Sequence, residues 1–478
     1  MTSFVGRGTE LAVLRKRLDR AAASGSGAAL AIRGRRQVGK SRLVQEFCDR
    51  ADVPYVYFTA NKGASPVESI AMFLADLRDS SLARNPASIP DHAANWVDAF
   101  RILAGQLPQQ PSIVVLDEVP WLSEQDSMFD GALQNAWDRL LSQSPTLLLL
   151  LGSDIHMMER MTAYDRPFFG RADNLALGPL NPAEVGAALD LSPADAIDAH
   201  LISGGLPGVL RGWPSAMPPM EFVKRECADP AAAIFSIPES SLLAEFPSPD
   251  HSRRVLEAIG GGDRTHATIA AAAGSREGDV PSGTLSPVLR RLTEDKRILA
   301  LDTPLSTVAG KPGLYRVSDS SLRLYLAVGR SAQDLVSRGR SDMALRLFQR
   351  RWSTWRGRAV EPLIRESVEL AALGGELPWP DVEAVGAWWN RRFDPEVDLV
   401  GADRSPVAKN VFFTGSIKWL DTPFDAHDAA AATRGGAEVP GADSAGLMVV
   451  SRSGISRDVD LGSNAVVWTA DEVVDSWR

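Results

Sequence analysis

Between Gly34 and Ser41 the chain reads Gly-Arg-Arg-Gln-Val-Gly-Lys-Ser, a full match to G-x-x-x-x-G-K-[ST]. Few strings of eight residues restrict a fold so tightly, because such a loop works only when a strand delivers it and a helix carries the chain away. Both flanks are present: Ala28 to Arg33 is a short apolar β run, and Ser41 to Arg50 has helical periodicity. Gly34 and Gly39 let the backbone curl until successive N–H groups point inward at phosphate oxygens, and the helix start adds its positive end. Lys40 supplies a mobile positive charge for the β and γ phosphates, and the Ser41 hydroxyl is a ligand for Mg²⁺. Arg35, Arg36, Gln37 and Val38 act through their backbone N–H groups, and Arg42 completes the set of loop contacts. The competing reading is an ordinary strand, turn and helix.

A nucleotide site needs a second strand that carries a carboxylate. Ile113-Val-Val-Leu-Asp117-Glu118 ends a buried strand with two acids in succession. Asp117 would hold Mg²⁺ through water, and Glu118 would orient and polarise an attacking water. A solvated loop start is the alternative for this pair. Ser153 and Asp154, which end the apolar run LLLLLGSD, stand where a γ-phosphate sensor would lie. The strands at 28–33, 55–59, 112–116 and 147–151 are near-continuous apolar runs separated by helices, so the first 180 residues read as an α/β domain with a parallel sheet.

Length and composition set the frame for the rest. A chain of 478 residues has room for about three domains. With 45% hydrophobic and 23% charged residues, wholesale disorder and collagen-like repeats are excluded. Cys48 and Cys227 stand alone, without a CxxC partner or nearby histidines, and read as buried small apolar residues rather than zinc ligands or a disulfide. No apolar run approaches the roughly 20 residues of a membrane span, and the N-terminus lacks a signal-peptide core, so the expected compartment is the reducing cytoplasm, with no membrane partner. A net charge of −9 argues against nucleic acid coating the whole surface while leaving room for a local basic face.

Together these residues resemble the archaeal-type ATPases of the STAND and AAA+ superfamily. The resemblance runs through Phe4-Val5-Gly6-Arg7 with Glu10-Leu11, the GRRQVGKS loop, LDEVPWL, LLLLLGSD, Pro167-Phe-Phe-Gly-Arg171 and Ser203-Gly-Gly-Leu-Pro207. It implies ATP and Mg²⁺ as cofactors. It also implies that Val5, Gly6, Arg7 and Pro207 flank the base and ribose, and that Arg171 reaches the phosphates. A surface salt bridge is the alternative for Arg171. Gln37 departs from the family, which more often has a basic or small residue there.

Downstream, the expected order is a P-loop core at 1–180, a helical lid at 181–245, a winged helix at 246–330 and an Arg-rich bridge with a nuclease-like α/β domain at 331–478. The break falls at Phe246-Pro-Ser-Pro-Asp250. The third winged-helix segment, 282–292, carries Ser286, Arg290 and Arg291, but Glu277, Asp279, Glu294 and Asp295 surround it, so DNA contact and protein docking both stay open. From Arg323 to Arg358 there are nine arginines and two acids, a charge of +7 that would suit phosphates or the acidic surface of the first domain.

In the last 120 residues strands are expected at 397–400, 411–417, 446–451 and 465–469, with 425–445 as a surface loop. Glu361, then Glu396-Val-Asp398, then Ser416-Ile-Lys418 resemble the PD-(D/E)xK nuclease core. That resemblance gives Glu361 and Asp398 the metal and Lys418 the attacking hydroxide. Ser416 stands where a second acid is expected, which puts cleavage in doubt. The combined expectation is a Mg-ATP-dependent switch: ATP closes the lid on the sheet, hydrolysis reopens it, and the change passes to a nucleic-acid-directed module. The alternative is a DNA- or protein-binding regulator that holds ATP without appreciable turnover.

Overall fold

The computed structural model describes residues 4–161, 163–164, 166, 168–246, 250–275, 278–310 and 312–478. Pro167, Glu277 and the expected linker at 247–249 lie outside them. By internal contacts the chain divides into two compact units, residues 1–179 and 180–478.

In the first unit β1 (Ala28–Arg33), β2 (Tyr55–Thr59), β3 (Ser112–Asp117), β4 (Thr146–Gly152) and β5 (Asp173–Ala176) form one sheet in the order β2-β3-β4-β1-β5. Every pairing is parallel, which gives the sheet of a P-loop NTPase fold. β3 and β4 are buried along their whole length, as their unbroken apolar runs require of strands covered on both faces. The fifth strand was not expected: Asp-Asn-Leu-Ala is short and largely exposed, so it carries no apolar signature. Helices Pro66–Asp79, Trp96–Gln106 and Phe129–Arg139 bring Phe73, Trp96, Phe100 and Phe129 onto Phe58 of β2, with ring centroids 5.2–6.2 Å apart. Each such ring, fully buried, contributes about 1.5–3 kcal/mol, and this cluster holds the sheet that presents the loop.

The second unit opens with helices Pro182–Leu189, Pro193–Ser203, Pro219–Glu226 and Ala233–Glu245. Helices His251–Gly261, His266–Ala272 and Ser282–Arg290 follow, then an antiparallel pair of β6 (Leu299–Asp302) and β7 (Leu314–Val317). A 33-residue helix, Ser341–Leu373, leads into β8 (Ala384–Trp389), β9 (Glu396–Ala402), β10 (Val411–Lys418), β11 (Gly446–Ser451) and β12 (Ala465–Trp468). Their order is β12-β11-β10-β9-β8, antiparallel from β8 to β10 and parallel from β10 to β12.

The expected loop at 425–445 is in part a helix, Ala426–Ala437. Asp425 caps its start by accepting from the backbone of His427 and Asp428, and its alanines are strong helix formers. A Cβ at Gly436 would strike Thr414, so glycine there lets this helix settle on β10. Trp388, Trp389 and Trp419 are buried, as packing residues should be.

Helix Pro193–Ser203 shares a core with the C-terminal sheet. Ile197 and Leu201 pack in one cluster with Ile364, Val368, Leu399, Phe413 and Trp419. Beside them lies a buried ionic group. Asp198, 2% exposed, accepts from Arg356 at 2.9 Å, from Trp419 Nε1 at 3.0 Å and from Arg452 at 3.2 Å. Removing one member of such a group strands the others, so these helices are fixed to the C-terminal sheet by charge as well as by apolar contact.

Candidate functional site

The loop leaves β1 between β4 and β5, and the helix Lys40–Ala51 receives it. A Cβ at Gly34 would run into the carbonyl of Leu177, so only glycine allows the strand and loop to pass this closely. Gly39 at φ 94° and Gln37 at φ 66° take left-handed backbone conformations, which curl the loop. For Gln37 that conformation is strained. Lys40 is 6% exposed, and its Nζ donates to the carbonyls of Gly34 at 2.7 Å and Arg35 at 3.1 Å. Burial lowers its pKa, while the Glu118 and Asp117 carboxylates act against that shift.

Ser41, Asp117, Glu118 and Ser153 come together from three elements. Ser41 Oγ donates to Asp117 Oδ2 at 2.7 Å, and Tyr57 OH donates to the same oxygen at 2.8 Å. The Glu118 backbone N–H donates to Asp117 Oδ1 at 2.9 Å. Glu118 itself sits at φ 56°, a second strained non-glycine position, and its Oε2 accepts from Ser153 Oγ at 2.9 Å. The arrangement offers a hydroxyl and a carboxylate oxygen side by side, the hard-oxygen donor pair that Mg²⁺ takes. Tyr57 is the residue that motif reading missed. The only hint was a phenol on the strand next to the acid-bearing one; burial and Asp117 push its pKa up.

Arg7, 4% exposed and at φ 65°, donates to the carbonyls of Val38 at 3.0 Å and Gly178 at 2.7 Å, so its guanidinium buttresses the loop from behind. Gly6 precedes it with φ 67°, and Val5 is half-buried. Arg36 lies close enough to lower the Lys40 pKa. Arg42 turns along its own helix to Glu46 at 2.7 Å. Arg171 forms a two-pronged pair with Asp138, at 2.7 and 2.8 Å, the surface salt bridge that stood as its alternative. Pro207 belongs to the second unit, at the first turn of helix Pro207–Leu210.

The C-terminal candidates are arranged differently. Asp398 Oδ2 accepts from Ser416 Oγ at 3.0 Å and from the Ile417 N–H at 2.9 Å. Ser416, where an acid was expected, thus donates to the acid that remains. Glu361 accepts from Arg365 at 2.8 Å, and Arg365 also donates to the Asp398 carbonyl at 2.8 Å. Burial pushes the Glu361 pKa up to about 7, with Arg365 opposing and Asp398 adding to the rise. Lys418 turns to Asp428 and Asp425 at the start of helix Ala426–Ala437. Glu396 pairs with Arg264 at 3.2 Å. Among the described residues no group of three or more His, Cys, Asp or Glu side chains is placed to hold a metal ion.

The nine arginines from 323 to 358 do not form one face. Arg356 is buried on Asp198, Arg330 pairs with Glu257 at 2.7 Å, Arg346 pairs with Asp342, and Arg351 donates to the Ala327 carbonyl at 2.7 Å. Arg338, Arg340, Arg350 and Arg358 are exposed.

Comparison with known proteins separates the two regions in the same way. Residues 3–150 match the family model of an AAA ATPase domain, a span that contains the loop, Asp117 and Glu118. Residues 325–430 match a model described as archaeal and bacterial proteins of unknown function, a span that contains Glu361, Asp398 and Lys418. The chain is 23% identical over 425 residues to an uncharacterized protein, MJECL04, of Methanocaldococcus jannaschii, covering 87% of this chain and 88% of that one. Among solved structures it is similar to the Walker-type ATPase PABY2304 of Pyrococcus abyssi, with TM-score 0.47, 18% identity and coverage of 68% and 96%. It is also similar to the ORC2 protein of Aeropyrum pernix, with TM-score 0.43, 15% identity and coverage of 70% and 94%.

Proposed function

We propose that the chain is a Mg²⁺-dependent ATPase whose nucleotide state governs a winged-helix and nuclease-like module directed at nucleic acid. The observation that carries the reading is the convergence of buried Lys40, the Ser41–Asp117 pair and the Glu118–Ser153 pair at the C-terminal ends of the central strands β1, β3 and β4. In this reading the loop N–H groups and Lys40 bind the phosphates, with Lys40 leaving the carbonyls of Gly34 and Arg35 for them. Arg7 keeps the loop in shape, and Tyr57 and Ser41 fix the Asp117 carboxylate. Mg²⁺, when bound, screens the phosphate charge. Glu118, within reach of Ser153, orients the attacking water and takes up its proton. Arg171 reaches the phosphates only by leaving Asp138. Val5 and Gly6 contact the base and ribose.

Element order supports the module: three helices before the β6–β7 pair suit a winged helix at 246–330, and the mixed sheet after 331 suits a nuclease-like domain. Two buried free thiols suit a reducing cytoplasm, and no described helix is long and apolar enough to cross a membrane. The test is steady-state ATP turnover of the purified chain with Mg²⁺. Lys40→Ala is expected to abolish it, and equal rates in the two proteins would contradict the reading. A second reading, ATP held with negligible turnover by a regulator that binds DNA or protein, draws on the hydrogen bond that occupies Glu118.

A further inference from the structure

Part of the Arg-rich stretch does line up on one surface. From Met343 to Val360 the long helix Ser341–Leu373 holds five arginines and no acid in 18 residues. Its buried side is apolar, with Leu347, Phe348, Trp352 and Val360, and one arginine, Arg356, turns inward to Asp198. The other four, Arg346, Arg350, Arg351 and Arg358, are exposed. At about 3.6 residues per turn, Arg350, Thr354, Arg358, Glu361 and Arg365 fall on one stripe, because successive members are three or four positions apart. The exposed arginines therefore run in line with Glu361, which Arg365 ties to the backbone of Asp398. Past Arg365 the helix turns acidic at Glu366 and Glu369, so the basic surface ends beside Glu361.

Little in the chain competes for these groups. Arg346 pairs with Asp342 one turn away, an exposed contact that holds either side chain loosely. Arg351 donates to the Ala327 carbonyl at 2.7 Å. Among the described residues the side chains of Arg350 and Arg358 make no hydrogen bond and no ion pair, and neither do the exposed hydroxyls of Ser353 and Thr354 between them. A Cβ at Gly357 would meet nothing, so the surface between the two arginines is open. Guanidinium groups interleaved with hydroxyls, with no acid among them, suit a row of phosphates. An acidic face of the same chain is the rival. Residues 1–179 carry 19 basic and 20 acidic residues, so the first unit has no surplus of acid to offer. A duplex is favoured over a single strand, because single strands are held largely by base stacking on aromatic rings. Here Trp352 is buried, and Trp355, half-buried, stacks on it with centroids 5.6 Å apart. From Arg346 to Arg358 the helix rises about 18 Å, about five base-pair steps of a duplex.

We infer that the exposed face of the long helix, from Arg346 through Arg350 to Arg358, is a sequence-independent docking surface for the phosphate backbone of duplex DNA, leading it to the Glu361 end of the helix. This assignment rests on the nucleic-acid half of the reading above and not on ATP turnover. It puts the contact on the long helix rather than on the third winged-helix segment.

The test uses the full chain without nucleotide. Anisotropy of a fluorescein-labelled duplex of about 20 base pairs, about two helical turns, is read between about 50 and 200 mM salt. The proteins are the native chain, Arg350→Gln with Arg358→Gln, Arg290→Gln with Arg291→Gln in the winged-helix segment, and Arg101→Gln, which loses an exposed charge of the first unit. The pair of changes at Arg350 and Arg358 is expected to weaken binding on the order of tenfold or more and to lower the salt slope by about two, about one for each phosphate contact. A duplex of unrelated sequence should give the same result, Arg101→Gln should match the native chain, and the same bases as a single strand should bind more weakly. Because Arg350 and Arg358 have no partner in the described chain, their double variant should melt at the native temperature. Native-like DNA binding by that variant, with the loss confined to the Arg290 and Arg291 changes, would overturn this surface and leave the nucleic-acid reading standing; a native chain that binds no duplex would remove both. Tighter binding of the single strand would also overturn it, as would a lowered melting temperature with DNA binding intact, the mark of arginines paired within the chain.

Discussion

Two acid-bearing sites stand at the ends of strands in this chain, one at the edge of β3 and one between β9 and the long helix, and they spend their hydrogen bonds differently. At the first, Asp117 is anchored by Ser41 and Tyr57, while Lys40 is held only by backbone carbonyls that a phosphate can replace. At the second, the acids and the lysine are tied to side chains and backbone of their own unit, with Ser416 filling the space of an acid. In the proposed reading the first site frees Lys40 for a ligand, whereas Asp398, Glu361 and Lys418 at the second are each bonded to a neighbour in their own unit. The consequence is a division of effects. Substitutions at the first should cost ATP turnover, and substitutions at the second should cost stability and leave ATP turnover alone.

The sharpest way to break this contrast is Asp117→Ala, which is expected to lower ATP turnover on the order of 100-fold or more in a chain that is still folded at the assay temperature. A large loss of stability with turnover retained would reverse the two sites' roles.

A pH titration acts on the second unit. His200 is buried, its Nδ1 has no partner, and burial lowers its pKa to about 4. The unfolded chain, with an ordinary histidine near 6.5, binds the extra proton first as pH falls. Stability from this group is therefore complete above pH 6.5 and is lost progressively down to about 4, by about 3 kcal/mol. Thermal melting from pH 7.5 to 4 should record the loss, and His200→Gln should flatten it.

Next in size is Asp398→Ala, which leaves the Ile417 N–H and the Ser416 hydroxyl without their acceptor. It should cost about 2 kcal/mol in chemical denaturation and leave ATP turnover native. Tyr57→Phe refines the first site, since it removes one of the donors to Asp117. About 1 kcal/mol, read as a several-fold rise in KM for Mg-ATP, is expected from that single bond.

What could be read from the sequence follows the same division. The loop site was legible because its chemistry is contiguous: Gly34 to Ser41 fixes its own geometry, and Asp117 ends an apolar strand that can only be central. Tyr57 escaped notice because its partnership depends on how β2 lies beside β3. β5 was illegible for want of apolar residues. β8 was not expected because Ala384, Gly386 and Ala387 carry little strand propensity. The helix at 426–437 was hidden by an Ala, Gly and Asp composition that also suits a loop, and its capping aspartates were the signal to weigh. Arg264 and Glu396 are far apart in the chain, and only the tertiary fold brings them together. Ser416 was recognised as a departure, but the bond it makes to Asp398 depends on the register of β9 and β10.

The account rests on hydrolysis at the loop site, and Glu118→Gln tests it most directly. The mutant and the native chain are incubated with Mg-ATP, freed of unbound nucleotide and extracted to identify what remains bound. The account predicts ATP retained in Glu118→Gln and ADP in the native protein; intact ATP in both, in equal amount, would contradict it.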